Sequence, residues 1–172
     1  MSPVLSLTFD GGPDDVWTPR VLEALDRAGA RATFFMAEDR LAGADAIARE
    51  MAAAGHEVRL RSDRPRAFRG LLFSRELDSN DRRGDGPASM LVTTRRAIVQ
   101  GGVVVMHDTL AAGDARHNCV NTIDFIPALI AAARSRGVQV GPLSLQPRRA
   151  TGWSSRPATR RAGLLRRAGV AV

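Results

Sequence analysis

The sequence predicts an α/β fold built on a parallel sheet, and three observations carry that prediction. Short apolar runs alternate with helix-length stretches of 3.6-residue periodicity, the βαβ pattern. One run, Gly102 to Met106 (GVVVM), is β-branched throughout its centre, as a strand covered on both faces requires. The chain has 172 residues and no internal repeat, enough for one domain of this kind.

The elements follow in order. Val4 to Phe9 is an apolar run behind Pro3 and predicts the first strand. Asp10-Gly11-Gly12-Pro13-Asp14-Asp15 is a loop, because two glycines and a proline do not continue a central strand. Thr18-Pro19 predicts a helix start, with Thr18 as the cap and Pro19 in the first helical position. Val21, Leu22, Leu25 and Ala28 then share a face up to Gly29. Ala32 to Met36 is the second strand, Ala44 to Ala54 the second helix and Glu57 to Leu60 a short third strand.

Beyond Leu60 an arginine-rich stretch, residues 61–69, has no helix-length apolar stripe. Gly70 to Leu77 predicts a further strand, and Asp78 to Gly86 a polar loop. Pro87 to Gln100 reads as a helix with Met90, Leu91, Thr94 and Ile98 on one face. After GVVVM and a polar loop, a helix is expected from about Thr122 to Arg136, with Pro127 in its first turn. Val138 to Leu143 is the last strand, which brings the total to about six.

Composition narrows the function. Hydrophobic residues make up 44% of the chain and charged residues 25%, an ordinary globular balance. No apolar run is long enough to span a bilayer. The N-terminus lacks the basic, apolar and small-residue succession of a signal peptide, so a cytoplasmic location is expected. The single cysteine, Cys119, cannot form an internal disulfide. Residues 1–124 hold 16 Arg and all 18 acidic residues, whereas residues 125–172 hold 9 Arg and no acid. The formal charge of +7 therefore belongs to the C-terminal end. We expect a domain over residues 1–146 and a basic, flexible extension over 147–172. That extension predicts sequence-blind adhesion to phosphates at low salt and no specific nucleic-acid recognition.

Ligands of parallel sheets collect at the carboxyl ends of the strands. Asp10 follows the first strand and His107-Asp108 follow GVVVM, so these residues are the first candidates. Asp10 as general base and His107 as general acid would suit hydrolysis of an amide or ester. The alternative is that Asp10 caps a turn and His107 is satisfied by Asp108. His56 lies before its strand, at the opposite edge, and is expected to be structural. His117, Asn118 and Cys119 are neighbours in a loop and give no evidence of a nucleophilic pair. Asp78 and Asp81 are expected to pair with arginines or to cap and solvate.

Several segments together resemble the polysaccharide deacetylases of the NodB-homology type, also known as carbohydrate esterase family 4. They are Leu7-Thr8-Phe9-Asp10-Gly11-Gly12-Pro13 with Trp17-Thr18-Pro19, Ala32-Thr33-Phe34-Phe35, Gly55-His56-Glu57-Val58, Leu77-Asp78-Ser79-Asn80-Asp81, and Val104-Val105-Met106-His107-Asp108. The closing segment from Thr122 to Leu143 is similar as well. The resemblance implies a distorted (β/α) barrel, here shortened and open, because a helix–strand–helix arc is missing between Arg61 and Phe68. It implies hydrolysis of acetyl groups on glycans. It also implies one divalent metal, usually zinc or cobalt, held by an Asp and two His. By position Asp10 matches the catalytic base and His107 the catalytic acid, with Asp108, Arg61, Asp78 and Asp81 in support.

The three metal-ligand positions of the family fall on Gly11, Arg61 and Pro65. Glycine and proline offer no side-chain donor atom, and arginine is a permanent cation. No cofactor is therefore expected. The family's arginine that steadies the base is absent, and the tryptophan after its second loop aspartate falls on Arg82. Arg59, Arg61 and Arg64 lie near the vacated positions and could hold an oxyanion, carboxylate or phosphate. Three readings stay open. They are a weak or inactive deacetylase, a metal-independent acid/base enzyme using Asp10 and His107, and a non-catalytic module that binds a glycan or partner. The expected ligand is a carbohydrate or small molecule, neutral or anionic, and a second copy of the chain could cover the shortened barrel.

Overall fold

The computed structural model describes residues 2–63 and 76–146. The expected strand over Gly70 to Leu77 is described only in its last part, and Arg64, Pro65 and the basic C-terminal end lie outside the described residues.

Six strands form one sheet: β1 (Val4–Asp10), β2 (Thr33–Met36), β3 (Glu57–Leu60), β4 (Glu76–Asp78), β5 (Gly102–Met106) and β6 (Gln139–Gly141). The order is β3-β2-β1-β5-β4, and β6 also pairs with β1. Every pairing is parallel. β1 accommodates three partners because β6 takes Val4 to Ser6 while β2 takes Thr8 to Asp10. Among the described residues β3 and β4 form no pairing that would close the sheet into a ring.

Alternation of side chains sorts the two faces. Leu5, Leu7 and Phe9 of β1, Phe34 and Met36 of β2, Leu60 of β3, and Val104 and Met106 of β5 are fully buried in one core. Four helices cover that side: α1 (Trp17–Arg27), α2 (Asp45–Ala53), α3 (Pro87–Gln100) and α4 (Val120–Arg134). The other face carries Ser6, Thr8, Asp10, Thr33 and Glu57, and among the described residues a small apolar cluster of Phe35, Val103 and Leu143 packs there. The chain after β6 crosses the base of this face. Leu143 N–H donates to Thr33 Oγ1 at 2.8 Å, and Gln146 Nε2 donates to the carbonyls of Val4 and Gly102. The polar face is thereby closed at the amino ends of the strands, which leaves their carboxyl ends as the place for a site.

Three local expectations are corrected. Thr18 does not cap α1. Asp14 does so through Oδ1, which accepts from Val16 and Trp17 N–H at 3.0 and 2.9 Å. A carboxylate two residues ahead of the first free donors reaches them, whereas the Thr18 hydroxyl is drawn inward to Asp108 Oδ2 at 2.7 Å. Pro19 then falls at the third helical position, where its missing N–H still has no helical partner to lose.

Pro127 is the second correction. It lies two turns inside α4, because the helix starts at Val120, whose N–H is capped by Asn118 Oδ1 at 3.0 Å. An interior proline costs about 3 kcal/mol. Thr122, Phe125, Ile126, Leu129, Ile130 and Ala133 are all buried along that helix, and their packing outweighs the loss. The third correction concerns Asp78 to Gly86. This stretch is ordered by β4 and by a 3-10 turn at Asp81–Arg83, entered through Asn80 at φ 63°.

His56 takes the structural role expected of it. Its Nδ1 accepts the Ala32 N–H at 3.2 Å, and its ring meets Phe34 edge-on. Burial, helped by the Arg31 charge, pushes its pKa from 6.5 down to about 4. The ring is thus neutral when folded and titrates normally when unfolded. Its stabilisation is complete above pH 6.5 and is lost as pH falls toward 4, by up to about 3 kcal/mol. Urea unfolding at pH 7 and pH 4.5 should show this loss, and His56→Gln should flatten the slope. Equal slopes in the two proteins would rule the origin out.

Candidate active site

Asp10 and His107 are brought together by register. Phe9 pairs with Met106, so the next residue on each strand stands at the same carboxyl-terminal edge. Asp10 ends β1 with its side chain 6% exposed. Arg61, directly after β3, places Nε 3.3 Å from Asp10 Oδ1, so a guanidinium flanks the candidate base.

His107 is held from behind by a buried network. Its Nδ1 lies 2.9 Å from Asp81 Oδ1, and its backbone N–H donates to Asp81 Oδ2 at 2.8 Å. The partner of the imidazole is therefore Asp81 and not the adjacent Asp108. The Ser79 N–H donates to the Val105 carbonyl at 3.0 Å and so ties the start of this segment to β5, while Asp108 points across to α1. Asp81 is fully buried. Burial pushes its carboxyl up, but the hydrogen bonds and charge of His107, with Arg116, outweigh burial and hold it below the usual carboxylate range. An ionised Asp81 accepts, so Nδ1 of His107 carries the proton of this bond.

Arg116 was not among the residues singled out from sequence. Its NH1 donates to Asp81 Oδ2 at 2.9 Å and to Thr122 Oγ1 at 2.7 Å, and its NH2 donates to the carbonyls of His107 and Thr109. Thr122 completes the group by donating to Asp81 Oδ2 at 3.0 Å. A lone arginine in a polar loop, two residues before a helix-start signal, carries no mark that separates it from the other arginines of this chain.

Asp108 is buried against the β1–α1 loop. Thr18 Oγ1 donates to its Oδ2, while Oδ1 has no hydrogen-bond partner. Burial raises its pKa, against the pull of that Thr18 bond. A Cβ on Gly12 would lie 2.2 Å from Asp108 Oδ2, so the loop runs directly over the carboxyl group. Asp78 stays at the rim of β4, exposed, where Oδ1 accepts the Asn80 N–H at 2.7 Å. Among the remaining candidates, His117 is exposed, and Cys119 is buried with its thiol pushed up to about 12, the reverse of an activated nucleophile. Arg59 lies on the polar face that also carries Asp10, in register with Phe35, and is salt-bridged to Glu57 at 2.8 Å.

A divalent metal does not fit the residues present. Gly11 sits at φ 100°, a backbone conformation that other residues rarely adopt. A Cβ placed there would meet Thr109 Cγ2 at 3.3 Å and Arg82 NH2 at 3.4 Å. The direction of the absent carboxylate is thus filled by a guanidinium, itself anchored by Arg82 NH1 to Asp114 Oδ1 at 3.0 Å. Arg61 beside Asp10 and Arg82 beside Gly11 thus bring two cations to this loop. Among the described residues no three His, Cys, Asp or Glu side chains converge as a metal site.

This parallel sheet, with its aspartate and histidine at neighbouring strand ends, has the fold of solved carbohydrate esterase family 4 structures. A peptidoglycan N-acetylglucosamine deacetylase structure superposes with a TM-score of 0.65 at 16% identity, covering 88% of this chain and 89% of that one. A family 4 acetyl xylan esterase from Clostridium thermocellum, solved with a cobalt ion, gives 0.63 at 21% identity, covering 82% and 88%. A family 4 pseudoenzyme from Bacillus anthracis gives 0.62 at 18% identity, covering 83% and 64%. Residues 2–71 match the polysaccharide deacetylase family model. The peptidoglycan-N-acetylglucosamine deacetylase of Bacillus cereus is 38% identical over 55 residues, 32% of this chain and 26% of that protein. The chitooligosaccharide deacetylase of Sinorhizobium fredii is 42% identical over 57 residues, 33% and 26% respectively. The matched segments therefore span about a quarter of the curated relatives' length. The chain is thus similar to the NodB-type polysaccharide deacetylases, in sequence over residues 2–71 and in fold over most of its length. No helix among the described residues is long and apolar enough to cross a membrane.

Proposed function

We propose that this chain is a deacetylase-like carbohydrate-binding protein in which metal-dependent deacetylation is weak or lost. The observation that carries the reading is the Arg82 guanidinium lying where a side chain on Gly11 would project. A bound metal lowers the pKa of its water from about 15.7 to about 7 and polarises the scissile carbonyl. General acid–base catalysis supplies about 10²–10⁴-fold, too little to replace that contribution on an unactivated amide. What the chain retains is a carboxylate, Asp10, and an imidazole, His107, oriented by Asp81.

Calorimetric titration of the full chain with zinc or cobalt is expected to give no saturable one-to-one binding. Acetate release from chitooligosaccharides should be near background, and a chelator should not change it. One-to-one zinc binding together with metal-stimulated acetate release would overturn the reading.

The intact His107–Asp81 pair favours a second reading, metal-independent acid/base chemistry on a sugar or small metabolite. Asp10 would take a proton and His107 would give one on a bond less demanding than an acetamide. Any such activity should survive chelation and disappear in both Asp10→Asn and His107→Ala. Persistence in either variant would exclude it.

A further inference from the structure

The cations and anions of the site are not equally exposed. Asp10 and Asp114 side chains are 6% and 5% exposed, whereas Arg61 and Arg82 are 53% and 30% exposed. The carboxylates thus lie beneath, and the guanidiniums form the surface that a ligand meets. Arg82 is also incompletely used. Its NH1 is held by Asp114, its Nε is buried without a hydrogen-bond partner, and its NH2 points at the empty side of Gly11. Arg61 lies beside Asp10, the residue that precedes Gly11.

From this arrangement we infer that Arg61 and Arg82 form a carboxylate clamp, and that the ligand is an acidic sugar rather than a neutral one. The inference rests on the carbohydrate-binding reading above and specifies its ligand. A guanidinium presents parallel N–H donors that match the two oxygens of a carboxylate. Sequence pointed to Arg59 for such a role, but Glu57 already neutralises it. Arg82 takes its place because the 3-10 turn at Asp81–Arg83 swings it over Gly11.

D-glucuronate and D-glucose differ at the ring's exocyclic carbon, carboxylate against hydroxymethyl, and make a matched pair of probes. NMR titration of the full chain with each, and with inorganic phosphate, is the test. Glucuronate is expected to bind at least about tenfold tighter than glucose. Arg61→Met and Arg82→Met should each remove most of that preference. Arg61 is exposed, so its variant remains informative should Arg82→Met disturb folding through Asp114. Equal binding of the two sugars would overturn the clamp while leaving neutral-glycan binding standing. Phosphate binding tighter than glucuronate would overturn the acidic-sugar assignment. Silence toward both sugars and chitooligosaccharides, with zinc titrating one-to-one, would instead sink the parent reading.

Discussion

Replacing Arg116 with methionine is expected to destabilise the protein by about 3–5 kcal/mol, the usual cost of removing one partner from a buried ion pair. Arg116 is 8% exposed and lies against a carboxylate that is fully buried. Its removal leaves Asp81 with His107 and Thr122 but without its fixed cation. The guanidinium also serves the carbonyls of His107 and Thr109, so the β5–α4 loop loses its internal fastening as well. Against a total stability of about 5–15 kcal/mol, this loss is a large fraction. Equilibrium urea unfolding measures it. The double variant Arg116→Met with Asp81→Asn should be less damaged than the two single losses added, since the second change removes the stranded charge. A loss under about 1 kcal/mol, or strict additivity, would contradict this account of the network.

The second large effect is expected from a single methyl group. Gly12→Ala places a Cβ 2.2 Å from Asp108 Oδ2 and 2.6 Å from its Cγ and Oδ1. Those atoms cannot retreat cheaply, because Asp108 is 1% exposed and tied to Thr18. Overpacking of this kind costs about 1–3 kcal/mol even where neighbours adjust, and here the neighbour is a buried polar group. The loop that must move instead carries Asp10 and Gly11, so ligand binding should weaken along with stability. Shortening the obstacle in Gly12→Ala with Asp108→Ala should recover part of the loss. A fully stable Gly12→Ala protein would mean that the loop does not pack on Asp108.

The elements most legible in the sequence are those whose pattern is local. GVVVM announces a two-sided strand, Glu57 to Leu60 a short one, and Pro87 to Gln100 a helix behind its N-terminal proline, and all three stand where expected. The start of α4 was less legible, since Pro127 suggested a first turn while the packing of Phe125, Ile126 and Leu129 tolerates it deeper in the helix. At the candidate site, Asp10 and His107 were singled out because each comes at the carboxyl end of an apolar strand. The partner of His107 could not. The adjacent Asp108 and the distant Asp81 are equally plausible carboxylates until the 3-10 turn brings one of them beneath the imidazole.

What the residues alone determined was the alternation of strands and helices and the positions at strand ends, because these depend only on local periodicity, while the subtraction at Gly11 and Arg61 is what the resemblance to the family implied. Only the folded chain decided what replaces the missing groups. Arg82 over Gly11, Arg116 beneath Asp81 and Arg61 beside Asp10 are pairings between segments that are distant in sequence. In a chain with 25 arginines and no lysine, charge alone gives no way to choose among them. The choice falls to burial and hydrogen-bond geometry, which exist only once the strands have set their register.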